Sequence, residues 1–488
     1  MADVCVDLGS SIGVISPFIY GHFIEHLGAV IYDGIWVGPE SKVENVNGIR
    51  RQLVEKLAEV RPPVIRWPGG CFADAYHWRD GVGPREGRPR RYGRWKDAVE
   101  PNLFGTHEFI DFCRLVGAEP YMVANVGTGS PREFHEWVEY CNAPRGSTSL
   151  AEEREANGSP EPFNVRFWGV GNEVWGCGGT MSPEYYAELY RRFTTWLPGF
   201  GLDLFLIACG PHSGIANDWT RRFFRAYHGA GGVTRIDGWA YHYYISSGRA
   251  VGYSRHEWYE LLSKAAELER LIDEQWRLLG LFDRDRRIRL VFDEWGVWHP
   301  SGSELRPGHL LGEALTIRDA LATAIQLDVF NRCCDKVFMA NVAQLVNCLN
   351  SLFAADGEEL VSTSVYHVFR MYRDHQGGKS VRLIPEAGLA GILGSASVKE
   401  GVLTVTLVNQ HLGMDAEVEI KVKGGEVYGG EAETLTCDDI YAYNSFKEPD
   451  RVKPSSLELK VVDGGVIKAK LPRASVNKFS LLIDQHQR

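Results

Sequence analysis

The chain has 488 residues, 44% of them hydrophobic and 24% charged, with a formal net charge of −10 and a pI of about 5.9. That length suits one large domain plus a smaller one and leaves ample chain for a sizeable core. The acidic balance argues against a nucleic-acid or anionic-membrane surface and leaves neutral polymers such as polysaccharides open as partners.

The opening residues 4–8 alternate apolar and polar and are expected to add a strand to a β domain. They follow no basic, apolar leader, so no signal peptide is read. No apolar run approaches the roughly 18–20 residues that span a bilayer. The expected location is therefore the cytoplasm, where the ten cysteines default to free thiols. Strand-like runs then follow at 17–25, 64–69, 120–125, 165–173, 204–210, 236–244, 288–294 and 336–344. Most are apolar on both faces, as buried parallel strands are. Helical patterns separate them. Residues 50–60 carry Leu53, Val54, Leu57 and Ala58 on one stripe, and 107–117 carry Phe109, Ile110, Cys113 and Val116. Ser182 before Pro183 reads as a helix N-cap, and 313–332 as a long helix that Cys333 and Cys334 continue.

Strand and helix alternating eight times predict an α/β fold, a (β/α)8 TIM barrel with insertions. The hydrophilic stretches 80–94 and 147–159 are expected as long loops on its functional face. After residue 375 the texture changes. Residues 403–408, 416–422, 466–471 and 479–483 alternate with period two, which predicts a small antiparallel β-sandwich. The expected division is 1–16 as a strand joining the sandwich, 17–375 as the barrel and 376–488 as the sandwich.

A TIM barrel keeps its chemistry at the C-terminal ends of its strands. Glu173 ends the fourth strand-like run and Glu294 the seventh. Paired carboxyls among tryptophans are the equipment for cleaving a glycosidic bond. The plain alternative, a solvated strand-end glutamate, suits one such residue better than two. Asn172 is placed to meet a sugar hydroxyl, and Asp293 to be a structural hydrogen-bond partner. Arg66, ending the second run, is placed to keep Glu294 ionised, with a surface salt bridge as the alternative. His242 and Tyr244 end the sixth run, Gln344 the eighth, and Glu25 the first, where it suits sugar hydroxyls. Trp36, Trp78, Trp95, Trp175, Trp295 and Trp298 offer stacking faces collectively, although each alone is better explained by packing. His22-Phe23-Ile24-Glu25-His26 matches a zinc-protease pattern that requires a helix, and this segment reads as strand and turn, so no metal is expected. Gly127-Thr128-Gly129 is too short for a dinucleotide fingerprint.

Several runs together resemble glycoside hydrolase family 51, chiefly α-L-arabinofuranosidases, over nearly the whole chain. They are Tyr20-Gly21-His22-Phe23-Ile24-Glu25-His26-Leu27-Gly28, Arg66-Trp67-Pro68-Gly69-Gly70, Trp168-Gly169-Val170-Gly171-Asn172-Glu173 and Asp293-Glu294-Trp295. Tyr441-Ala442-Tyr443-Asn444-Ser445-Phe446 and Arg451-Val452-Lys453-Pro454 match the family's C-terminal signature. The resemblance implies a retaining double displacement with Glu173 as acid/base and Glu294 as nucleophile. It implies an arabinose pocket formed by Glu25, Arg66, Asn172, His242, Tyr244 and Gln344, walled by Phe23, Trp95 and Trp298. It further implies exo release of terminal arabinofuranosyl residues from arabinoxylan or arabinan oligosaccharides, no metal or cofactor, and a homo-oligomer, often a hexamer. Cys71 departs from the pattern, since many members carry Asn there. Cys71 and Cys177 follow the second and fourth strands, and a disulfide between them would stiffen the pocket rim and its sugar contacts. The competing readings are a β-xylosidase or endoglucanase of the same barrel type, a metal-dependent barrel hydrolase, and an inactive carbohydrate-binding protein. The last has no use for two retained glutamates.

Overall fold

The computed structural model describes residues 2–95, 99–229, 234–305, 309–385, 391–462 and 465–485. Eight strands close into a barrel, each beside its predecessor in sequence: Gly21–Phe23, Val64–Trp67, Glu119–Ala124, Phe167–Val170, Phe205–Ala208, Gly238–Ile245, Arg289–Val297 and Val337–Ala343. Pairing is parallel, as in Arg66 beside Tyr121 and Val123 beside Gly169. Val64–Trp67 and Phe167–Val170 are buried at every residue, which explains why they are apolar apart from Arg66.

Helices occupy the expected intervals with trimmed ends. Arg51–Val60 buries Leu53, Leu57 and Val60. Thr106–Val116 stops at Gly117, whose φ of 74° is left-handed. Pro183–Thr194 starts as its sequence dictates: Ser182 Oγ accepts the Tyr185 amide at 3.2 Å, and Pro183 occupies the first turn. Ile317–Arg332 begins four residues later than the pattern suggested. Asp319 Oδ2 accepts the Thr316 amide at 2.7 Å and so fixes Thr316 as the cap. Cys333 closes this helix rather than extending it. The first expected strand also shortens. Pro17–Tyr20 is a 3-10 turn, and only Gly21–Phe23 pairs in the barrel.

Ten strands form a second, mostly antiparallel sheet. Ala2–Val14 lies inside it, antiparallel to Lys379–Pro385 and parallel to Ala416–Lys423. Val4, Val6, Leu403, Val405, Ile420, Ile467, Phe479 and Leu481 share one core. The sandwich layers are therefore two halves of a single sheet folded over a common interior. By contact the chain forms two compact units. One comprises Met1–Tyr20, Tyr244–Ile272 and Trp295–Arg488, and the other Gly21–Tyr243 and Asp273–Glu294. The second holds Glu25, Arg66, Cys71, Asn172, Glu173, His242 and Glu294.

Candidate active site

Arg66, fully buried on the second barrel strand, organises one side of the site. Its Nη1 donates to Glu294 Oε1 at 2.8 Å and its Nη2 to Asn172 Oδ1 at 2.6 Å. Nε stands 3.6 Å from Asp293 Oδ2, an ion-pair distance, and the guanidinium lies 4.6 Å from the centre of the Phe23 ring. Burial opposes the charge on Arg66, but the carboxylates of Asp293 and Glu294 outweigh it and hold the proton firmly. Asp293 takes a hydrogen bond from the Tyr121 hydroxyl at 3.0 Å. Burial raises its carboxyl above the usual range against the pull of Arg66. Gly70, just past the strand, leaves no room for a side chain. A Cβ there would sit 2.7 Å from Glu294 Oε1.

Glu173 lies three residues beyond the fourth strand, at a φ of 41°. A residue with a side chain enters this left-handed region at a cost of about 1–2 kcal/mol, so the turn needs an anchor. Asp74 supplies one: Oδ2 accepts the Asn172 amide at 3.0 Å and Oδ1 the Val126 amide at 3.1 Å. Burial lifts the Asp74 carboxyl to about 7 despite these donors.

His242 bridges the two glutamates. Its Nδ1 is 2.9 Å from Glu173 Oε1 and 3.6 Å from Glu294 Oε2. Burial works against a charged ring, but Glu294 and Glu173 outweigh it and raise the imidazole to about 9. His242 is therefore protonated at neutral pH. A carboxylate oxygen from each glutamate and a ring nitrogen of His242 all lie within 4.8 Å of one another. Retaining glycosidases hold their carboxyls about 5–5.5 Å apart, whereas inverting ones leave roughly 6.5–9.5 Å for a water. An approach of one oxygen from each carboxyl to within 4.8 Å is compatible with the closer, retaining arrangement. Glu25 is buried as well, and Oε1 accepts the Phe72 amide at 2.9 Å. Burial and the neighbouring Glu294 raise its carboxyl to about 8, so it is neutral at pH 7.

Cys71 and Cys177 are joined as a disulfide, with Cα atoms 5.5 Å apart. The sulfurs rest against Glu173 Oε2, at 3.4 Å from Cys177 and 3.9 Å from Cys71. Bonded sulfurs carry no proton, so these are packing contacts rather than hydrogen bonds. Arg94 donates to the Cys177 carbonyl.

The remaining candidates divide. Tyr244, Trp298 and Gln344 belong to the other compact unit. There the Tyr244 and Trp298 rings meet edge to face at 5.0 Å, Trp298 is 42% exposed and Gln344 is buried. Trp95 is half-buried. Trp36, Trp78 and Trp295 are buried packing residues, so the collective stacking reading fails for them. Trp175 is half-buried, gives its indole proton to the Gly210 carbonyl at 3.0 Å and packs its ring 4.5 Å from that of His212. The His22 to His26 segment is a short strand and turn, not a helix. His26 is engaged by Glu100 at 2.9 Å and by the Trp67 indole at 3.0 Å.

Comparison with known proteins places this geometry in a family. A model of the α-L-arabinofuranosidase 1 domain matches residues 56–220, and one of the α-L-arabinofuranosidase C-terminal domain matches 293–475. An intracellular exo-α-L-arabinofuranosidase of Bacteroides ovatus is 38% identical over 490 residues, covering 96% of this chain and 93% of that protein. The crystal structure of the GH51 arabinofuranosidase from Xanthomonas axonopodis pv. citri is similar over 98% of this chain and 99% of its own, at 35% identity and a TM-score of 0.92. The chain belongs to glycoside hydrolase family 51. The arabinose complex of the Thermotoga maritima α-L-arabinofuranosidase is also similar, at 31% identity and a TM-score of 0.87 over 98% of this chain and 99% of that one. Two supports of this family 51 site escaped the reading of the sequence. Asp74 sits in a short 3-10 helix, Ala73–Ala75, and acts on backbone amides, which leaves no periodic pattern. Tyr121 lies within an apolar strand, where a tyrosine reads as core.

Proposed function

We propose that this family 51 chain is a retaining, exo-acting α-L-arabinofuranosidase in which Glu294 is the nucleophile and Glu173 the acid/base. The carboxylate spacing, within 4.8 Å, carries the reading. The surroundings divide the roles. Glu294 accepts from Arg66, which favours its charged form and prepares it to attack the anomeric carbon. Among the described residues no arginine pairs with Glu173, which shares a 2.9 Å contact with protonated His242. His242 holds Oε1, which leaves Oε2 to carry the proton delivered to the leaving oxygen. In the second half-reaction Glu173 takes a proton from water as it attacks the glycosyl intermediate. Asn172, with its oxygen committed to Arg66, presents its amide protons to a sugar oxygen. Neutral Glu25 is a further donor. Cys71, Phe23, Trp95, Tyr244, Trp298 and Gln344 are proposed as further arabinose contacts.

Terminal arabinofuranosyl residues of arabinoxylan or arabinan oligosaccharides are the proposed substrates, a reading supported by the exo activity in the Bacteroides relative's name. That name also supports a cytoplasmic location. Among the described residues no helix is long and apolar enough to cross a membrane. Assembly as a homo-oligomer, and a domain division after residues 16 and 375, belong to the same proposal.

The test is hydrolysis of p-nitrophenyl α-L-arabinofuranoside against the β-xyloside and β-glucoside. Wild type should favour the arabinofuranoside, and its failure to cleave that substrate refutes the reading. Glu294→Ala should lose essentially all turnover. Glu173→Ala should largely keep the first step, because nitrophenolate needs little acid help, and azide should restore its turnover.

A further inference from the structure

We propose that reduction of the Cys71–Cys177 bond turns this edge of the site into an inhibitory zinc site built from Cys71 Sγ, Cys177 Sγ and Glu173 Oε2. The inference rests on Glu173 being the acid/base. Tetrahedral zinc holds thiolate sulfur at about 2.3 Å and carboxylate oxygen at about 2.0–2.2 Å. Those bond lengths place each sulfur about 3.5 Å from the oxygen and the two sulfurs about 3.8 Å from each other. Glu173 Oε2 already stands 3.4 Å and 3.9 Å from the sulfurs. Parting the sulfurs is thus the main change that the site requires. Cα atoms 5.5 Å apart, on turns rather than within strands, permit it by side-chain rotation.

The support around the ligands suits a metal as well. Glu173 binds His242 through Oε1, so Oε2 is offered without breaking that contact. A ligating carboxylate fixed through its second oxygen is the usual outer-shell arrangement. The Arg94 contact to the Cys177 carbonyl holds the turn from the other side. All three ligands are half-buried, within reach of a small thiol and of a hydrated cation.

The chemistry balances with a dithiol reductant. The cysteine S–S bond breaks and two S–H bonds form, while the reductant's two thiols become its own disulfide. Zinc then displaces the two thiol protons to solvent and takes the carboxylate, with water in the fourth position. Bound to zinc through Oε2 and to His242 through Oε1, Glu173 has no oxygen free to give a proton to a leaving group or to take one from the water of the second half-reaction. Disulfides in reducing compartments are commonly transient or redox-sensing, and in this proposal the reduced form is the one that zinc silences.

The experiment compares the whole chain in oxidised and dithiol-reduced form, with excess reductant removed. Zinc binding is read by competition with a chromophoric indicator, and activity on p-nitrophenyl α-L-arabinofuranoside with and without a chelator. Reduced protein should bind one zinc more than oxidised protein, lose at least tenfold in turnover with equimolar zinc at micromolar concentration, and recover with chelator. Oxidised protein should lose less than twofold. Reduced Cys177→Ser should lack the extra zinc. Equal zinc in both redox forms overturns the site, since it places the metal on groups that reduction does not touch, such as Glu173, His242 and Glu294. Cysteines 71 and 177 that react as free thiols before any reductant is added overturn it too. Extra zinc on reduction with turnover intact overturns the inhibitory site, since the metal then rests on the two thiolates without engaging Glu173, whose role Glu173→Ala and azide test separately.

Discussion

Gly70→Ala isolates the precision of the catalytic centre in a single methyl group. Gly70 does not have a positive φ, so alanine meets no backbone penalty there. The added Cβ would lie 2.7 Å from Glu294 Oε1, 3.3 Å from Phe23 Cζ and 3.5 Å from Asn172 Nδ2. Ordinary contact begins near 3.4 Å, so the Glu294 carboxylate must give by about 0.7 Å. It cannot retreat freely, because Arg66 holds the same oxygen at 2.8 Å. A misplacement of about 1 Å costs on the order of a hundredfold in rate. The expected loss in kcat/KM is therefore roughly 10–100-fold, or about 1.4–2.7 kcal/mol of transition-state stabilisation. Overpacking adds a stability loss of about 1–3 kcal/mol. Steady-state kinetics on p-nitrophenyl α-L-arabinofuranoside, with urea unfolding alongside, measure both. A kcat/KM within twofold of wild type would refute the close fit of Gly70 against Glu294.

Two further expectations follow from the same site. His242, raised to about 9, keeps its proton below that pH and loses it above. The kcat/KM profile should therefore fall on the alkaline side near pH 9, and His242→Gln should abolish or displace that limb while lowering turnover about tenfold or more. The His242 contacts stabilise the fold fully below the unfolded histidine value of about 6.5, and this contribution fades as pH rises through about 9, which urea midpoints across pH can follow. Tyr121→Phe removes the hydroxyl that meets Asp293 at 3.0 Å. It should cost about 1–3 kcal/mol of stability but less than tenfold in kcat/KM, since Arg66 still faces Asp293; a variant as stable as wild type would show that this bond contributes nothing.

The alternation of apolar strands with amphipathic helices carries the barrel in the sequence, because burial on both faces of parallel strands is a composition that can be read directly. Glu173 and Glu294 stood out because each interrupts a long apolar run, although Glu294 lies within its strand and Glu173 three residues beyond its own. Boundaries were less legible. Pro17 opens a turn inside a run that looks extended. The seventh strand continues past Glu294 to Val297, because Trp295 and Val297 are buried like the residues before them. Tryptophan density misled, since Trp36 and Trp78 bury the same large faces in packing that a sugar would use in a cleft. Asp74 and Gly70 act through backbone amides and through excluded volume, and neither leaves a periodic trace.

The strand Ala2–Val14 finds its parallel neighbour in Ala416–Lys423. A ribosome making about 5–20 residues per second needs roughly 20–80 s to cross the intervening stretch of about 400 residues. For most of that time, until Lys379–Pro385 emerges, Val4, Val6 and Leu8, which end in the sheet's core, have no native strand partner. Synthesis thus leaves this apolar segment waiting for some hundreds of further residues to emerge. A chaperone that shelters the emerging Ala2–Val14 segment should raise the yield of folded enzyme more than one that acts after Ala416–Lys423 has been made.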